Sequence, residues 1–117
     1  MLTTDPKTSF KIKLRELLMA MKLDKTPKTI GQFYDGHGAS CALGGAAVIL
    51  GISPNNLITA LAIIKDFDKK IPWIPELNDG TNMSKRDISL QIRQDHPDML
   101  DTIIEYPVPN ERKLRPK

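Results

Sequence analysis

The stretch Ser40-Cys41-Ala42-Leu43-Gly44-Gly45-Ala46-Ala47-Val48-Ile49-Leu50-Gly51-Ile52-Ser53-Pro54-Asn55-Asn56-Leu57 decides how the chain is read. It predicts two helices joined by a tight turn. Ser40 can cap a helix from Cys41 to Leu50, and Gly51 is placed to end it in a left-handed conformation. Ser53 followed by Pro54 is a restart signal, with Ser as cap and Pro at the first helical position. Gly44 and Gly45 each cost that first helix about 1 kcal/mol relative to alanine, most readily borne where another backbone packs very close. The second helix, Pro54 to about Asp66, carries Leu57, Ile58, Ala60, Leu61, Ala62, Ile63 and Ile64. Apolar nearly all round, it is expected at the centre of the core or of an oligomer.

Upstream, Phe10, Leu14, Leu17, Leu18 and Met21 recur at helical spacing. They predict a helix that starts near Thr8 or Ser9 and stops before Thr26-Pro27. Thr29 to Tyr34 reads as a short strand or extended loop, and Asp35-Gly36-His37-Gly38-Ala39-Ser40 as a glycine-rich turn. Downstream, Asp66 to Asn82 reads as a linker held extended by Pro72 and Pro75, with Asn78-Asp79-Gly80 as a turn. Ser84 with Asp87 resembles a capping box and opens a helix to about Asp95. Pro97 then opens a last short helix with Met99, Leu100, Ile103 and Ile104 inward.

The chain has 117 residues, 40% hydrophobic and 26% charged, which fits one globular domain. With aromatics at only 5%, the core must come from Leu, Ile, Ala and Met. The net charge of +3 owes much to the terminal run Glu111 to Lys117. Cys41 is the single cysteine, so no disulfide can form within the chain, and a reducing compartment is expected. Met1 to Pro6 does not read as a signal peptide, and the apolar stretches fall short of the roughly 20 residues of a membrane span. A cytoplasmic protein without membrane contact is the expectation.

Four features of the sequence bear on function. First, Ala46 to Leu57 is similar to the middle of a helix-turn-helix, which implies DNA contact through Asn55, Asn56, Thr59 and Lys65. The chemistry is thin, because base edges call for Arg, Lys, Asn or Gln and phosphates for cations, while the first turns offer only Asn55, Asn56 and Thr59 and the first cation is Lys65. Second, Cys41 at a helix start, with His37 and either Asn78 or Asp79, offers a Cys–His–Asn/Asp set for a cysteine-dependent hydrolase. The competing reading is a small residue buried in an Ala/Gly-rich helix. Cys41, His37 and His96 lack metal-ligand spacing, and neither metal nor cofactor is expected. Third, Arg112, Lys113, Arg115 and Lys117 could grip nucleic acid or an acidic protein, or be a solvated terminus.

Fourth, Cys41-Ala42-Leu43-Gly44-Gly45-Ala46 and Trp73-Ile74-Pro75-Glu76-Leu77-Asn78-Asp79 together resemble a poorly characterised family of small bacterial and phage proteins. Its members carry a Cys-Ala-x-Gly-Ala helix start and a later Trp…Asn-Asp turn. This chain departs from it at Gly45, where the family usually has Ala, and in its long first helix. The resemblance implies a compact helical domain and brings no assigned activity. It singles out Cys41, Gly44, Gly45, Trp73, Asn78 and Asp79 as a structural motif. Asn78 and Asp79 can accept hydrogen bonds from free N–H groups near Ser40 and Cys41, latching the linker with Trp73 on Gly44 and Gly45.

The expected fold is therefore all-α: a compact bundle of about five helices, with room for a short β pair near residues 29–35. Residues 1–7 form a leader, 8–105 the domain and 106–117 a basic tail. The expected core is Leu14, Leu17, Leu18, Met21, Leu43, Val48, Leu50, Leu57, Leu61, Ile64, Ile88 and Ile92. The expected role is a non-enzymatic protein-interaction or regulatory module, phage or mobile-element encoded, binding a protein partner or itself as a homodimer. DNA binding and cysteine-dependent hydrolysis are the alternatives.

Overall fold

The computed structural model describes residues 7–64 and 66–106. Their order is β1 (Phe10–Lys13), α1 (Leu14–Leu23), α2 (Ala42–Leu50), α3 (Pro54–Ala62), α4 (Phe67–Lys70), α5 (Ile74–Gly80), α6 (Lys85–Asp95), a 3-10 turn (Pro97–Met99) and β2 (Ile103–Tyr106). The fold is mainly helical with one small antiparallel sheet.

That sheet corrects the expected β pair. It lies not near residues 29–35 but between the two ends of the described chain, with Phe10 opposite Tyr106 and Ile12 opposite Ile104. Phe10-Lys11-Ile12-Lys13 alternates apolar and cationic, the two-residue period of a strand. Ile12 and Ile104 are buried, while Lys11 and Glu105 are exposed. The first helix therefore begins at Leu14, and neither Thr8 nor Ser9 caps it. Its first turn is instead tied by Glu16, whose Oε2 accepts from the Lys13 backbone N–H at 2.8 Å. The last expected helix shrinks to the 3-10 turn, and Ile103, expected inward, is exposed on the strand. Between residues 28 and 40 only isolated bridges occur, Lys28 and Tyr34 each with Ser40.

The two central helices form with the predicted turn. Gly51 ends α2 at φ 72°, where a side chain would strain the backbone, and Ser53 Oγ caps α3 by accepting from Asn56 N at 3.4 Å. The cap of α2 is Cys41 rather than Ser40: its sulfur accepts from Gly44 N at 3.2 Å. Helix α3 stops at Ala62 and is not enclosed all round. Leu57, Ala60 and Leu61 are buried, while Ile63 just beyond its end is 65% exposed. The linker also differs, for it contains α4 and α5. Pro75 sits in the first turn of α5, where it costs no hydrogen bond, and Asn78-Asp79-Gly80 forms the last turn.

Helix α1 packs chiefly on α6 and α2, and β2 lies against α3. Leu14, Leu17, Leu18, Met21, Leu43, Leu57, Leu61, Ile88 and Ile92 fill the core as expected, joined by Phe67, Ile71, Ile74 and Ile104. Val48 does not join them and is 63% exposed. Of the expected leader, Lys7 is described. Its N–H donates to Gly51 O at 2.9 Å and its carbonyl accepts from Ser53 N at 2.8 Å.

Candidate functional site

Two features stand out once the core is set aside: a buried polar cluster, and the apolar face above it. Lys85 is the first residue of α6, and Asp24 ends α1. Both side chains are only 4% exposed, and Lys85 Nζ lies 2.8 Å from Asp24 Oδ2. The same ammonium donates to Thr26 Oγ1 and to Ser40 Oγ, each at 2.8 Å. Thr26 in turn donates its hydroxyl and its backbone N–H to Asp24 Oδ1 at 2.6 and 3.0 Å. With that proton committed, the 3.0 Å contact between the two hydroxyls is completed by the Ser40 proton. Every proton and acceptor needed inside the cluster is thus used.

Burial pushes the Asp24 carboxyl up, but hydrogen bonds from Lys85 and Thr26, with the Lys85 charge, outweigh it and hold the group below its ordinary 3.8. A Ser–Lys catalytic pair would need a lone pair on the amine. Here Nζ spends three protons on three acceptors, so Ser40 has no base. The cluster braces α1, the 24–40 loop and α6. It also explains Gly45, because a Cβ there would overlap the Asp24 carboxylate and press on Ser40 Oγ. A Cβ at Gly44 would meet Phe33 O at 2.5 Å.

Above the cluster opens a hollow of about 340 Å³, walled by Tyr34, Gly36, Ala39, Val48 and Ile49. Burial, and after it the charge of Cys41, raises the Tyr34 phenol above its ordinary 10.0. A second hollow of about 380 Å³ continues along α1, where Met19, Leu23 and Leu50 meet Arg15, Glu16 and Arg93. Ile49 belongs to both hollows. The exposed large apolar side chains Met19, Leu23, Tyr34, Val48 and Ile49 thus surround two adjoining depressions. Arg15 is bound at the rim by Asp101, with Nη2 2.8 Å from Oδ1, and that guanidinium, with Lys13, holds the Asp101 carboxyl low.

The expected motif residues converge elsewhere. Cys41, Asn78 and Asp79 line a cleft of about 390 Å³ with Gln32, Phe33 and Pro75. Asn78 is buried, and its Oδ1 accepts from Ala42 N at 2.9 Å while its Nδ2 donates to Thr29 O at 3.0 Å. Asp79 Oδ1 accepts from Gly31 N at 3.2 Å and from Asn78 Nδ2 at 2.7 Å. The α5 turn is therefore fastened to the start of α2 through Asn78, while Asp79 fastens it to Gly31. Trp73 is not on Gly44 or Gly45, whose surfaces are taken by Phe33 and Asp24. It lines a separate hollow with Phe67 and Glu76.

Of the hydrolase set, Cys41 and Asp79 share the cleft, but His37 is not in its lining and is exposed on the glycine-rich turn. The His37 backbone N–H donates to Asp35 Oδ1 at 2.7 Å. Among the described residues no group of three His, Cys, Asp or Glu side chains could hold a metal ion. On α3, Asn55 and Thr59 are exposed, while Asn56 Nδ2 donates to Thr8 O at 3.0 Å. Lys65, Arg112, Lys113, Arg115 and Lys117 lie outside the described residues. Among those residues no helix is long and apolar enough to cross a membrane.

Sequence reasoning missed Asp24, Thr26 and Lys85. The one local signal, a lysine directly after the cap of α6, puts a cation at the positive end of a helix dipole, but nothing beside it points to Asp24, sixty-one residues away. No protein-family model matches the chain, nor does any curated protein or solved structure.

Proposed function

We propose that the chain is a small protein-interaction module that docks an apolar segment of a separate partner protein along α1 and α2. The supporting observation is the pair of hollows on either side of Ile49, ringed by Met19, Leu23, Tyr34 and Val48. Clustered exposed apolar side chains with a polar rim mark interaction surfaces, protein contacts among them. Two adjoining depressions accept two successive apolar side chains of a partner helix or strand. The rim carries both signs, Glu16 beside Arg15 and Arg93, which suits a protein better than the uniformly anionic backbone of nucleic acid. A regulatory role and a phage or mobile-element origin belong to the same proposal.

The test is a photoreactive benzoylphenylalanine placed at position 48, and separately at Glu105 on β2, in the cell that makes the protein. One discrete adduct from position 48 and none from position 105 is expected. Absence of an adduct at position 48, or the same products from both positions, overturns the reading. An adduct of twice the chain's mass replaces the separate partner with a second copy.

A further inference from the structure

We propose that the hollow between α3, α4 and α5 binds an alkylammonium group. Leu61 and Ala62 form one wall of this space of about 330 Å³, the buried Phe67 closes its floor, Trp73 supplies the accessible aromatic surface, and Glu76 is the one ionisable side chain among the described residues that line it. Aromatic faces attract cations through their quadrupole, and a carboxylate beside them favours the same charge. An anion would meet the Glu76 carboxylate, with no cation among the described lining residues to offset it. Trp73 is half-buried and stands between Pro72 and Pro75. Each proline fixes its own φ, which stiffens the backbone that carries the indole and lowers the cost of ordering it on binding. The nearby Lys69 is drawn toward Asp66, with Nζ 3.5 Å from Oδ1. The site shares no lining residue with the α1–α2 hollows and stands independently of the docking reading.

Two sources carry this chemistry, a free quaternary amine and a lysine-type side chain of a peptide. Trp73 is the chain's one tryptophan, so its emission reports on the hollow directly. The full chain is titrated, at constant ionic strength, with choline, with a short peptide bearing trimethyllysine, and with dimethylbutanol, the uncharged carbon isostere of choline. A saturable emission change is expected with at least one cation, with the alcohol about tenfold weaker or silent. The cation that saturates at the lower concentration identifies the source. Glu76→Gln, an exposed substitution, is expected to weaken cation binding about three- to tenfold. An equal response to the alcohol, no saturable response to either cation, or unchanged affinity in E76Q overturns the proposal.

Discussion

Lys85 occupies a position in α6 where its charge opposes the helix dipole, and α6 nevertheless forms around it because Asp24, Thr26 and Ser40 take all three ammonium protons. Removing one partner of a buried pair costs more than the pair contributes, because the survivor is left charged and enclosed. Lys85→Met is therefore expected to lose about 3–5 kcal/mol in urea unfolding. The double variant Lys85→Met/Asp24→Leu should recover much of that loss. Asp24 also sets a pH dependence. Its folded carboxyl titrates below the ordinary value, so the unfolded chain takes up a proton first as pH falls. The stabilisation is complete above the unfolded pKa of about 4 and drains away as pH drops through the lower folded one. Asp24→Asn is expected to flatten this acid limb of the stability curve between about pH 5 and the folded pKa; an unchanged limb would remove Asp24 from the account. Gly45→Ala separates helix propensity from tertiary fit. Propensity alone predicts a gain of about 1 kcal/mol. Collision of the new Cβ with the Asp24 carboxylate predicts instead a net loss of about 1–3 kcal/mol by thermal or urea unfolding.

The elements whose ends are marked by local chemistry were legible in the sequence. Ser53-Pro54 and Gly51 bound α2 and α3 because caps and left-handed turns are local devices, and Ser84 opens α6 for the same reason. The misread elements are those fixed from afar. Strand β1 pairs with β2 some ninety residues on, so nothing beside Phe10 announces it except the alternation of Phe10-Lys11-Ile12-Lys13. The helices in the supposed linker depend on burying Phe67, Ile71 and Ile74, and the two prolines concealed them. For the candidate site, Cys41, Asn78 and Asp79 were legible as a group. The apolar face was not, because Val48 carries the same letters as a core residue and only the packing of α1 on α2 leaves it outside. The cap of α2 gives a test at this scale. Cys41 acts through a single acceptor to Gly44 N, and serine supplies a stronger one. Cys41→Ser is expected to leave stability within about 0.5 kcal/mol or raise it, whereas Cys41→Val should lose about 1 kcal/mol. Equal losses in denaturant would show that sulfur packing, not capping, governs the position.

At the scale of the whole molecule, the small sheet is the clasp. It joins the first and last described elements and lies on α3 through β2, while the Lys85–Asp24 cluster braces the far end of α1 against α6. Helix α1 runs directly from β1 at one end into this cluster at the other, so neither region can open without displacing it. The central hydrophobic cluster is also shared, with Ile12 and Ile104 in the same buried set as Phe67 and Ile74. One cooperative unit follows from that continuity. Ile104→Ala would leave a cavity beneath the sheet and is expected to cost about 2–5 kcal/mol. Because Trp73 precedes α5, outside the sheet, its fluorescence tests whether the loss is shared. In a single unit the urea midpoints by Trp73 emission and by far-ultraviolet circular dichroism should fall together. If the dichroism midpoint falls while the Trp73 midpoint stays at the wild-type value, the sheet is an independently melting appendage. The helices would then carry both the apolar α1–α2 face and the Trp73 hollow without it.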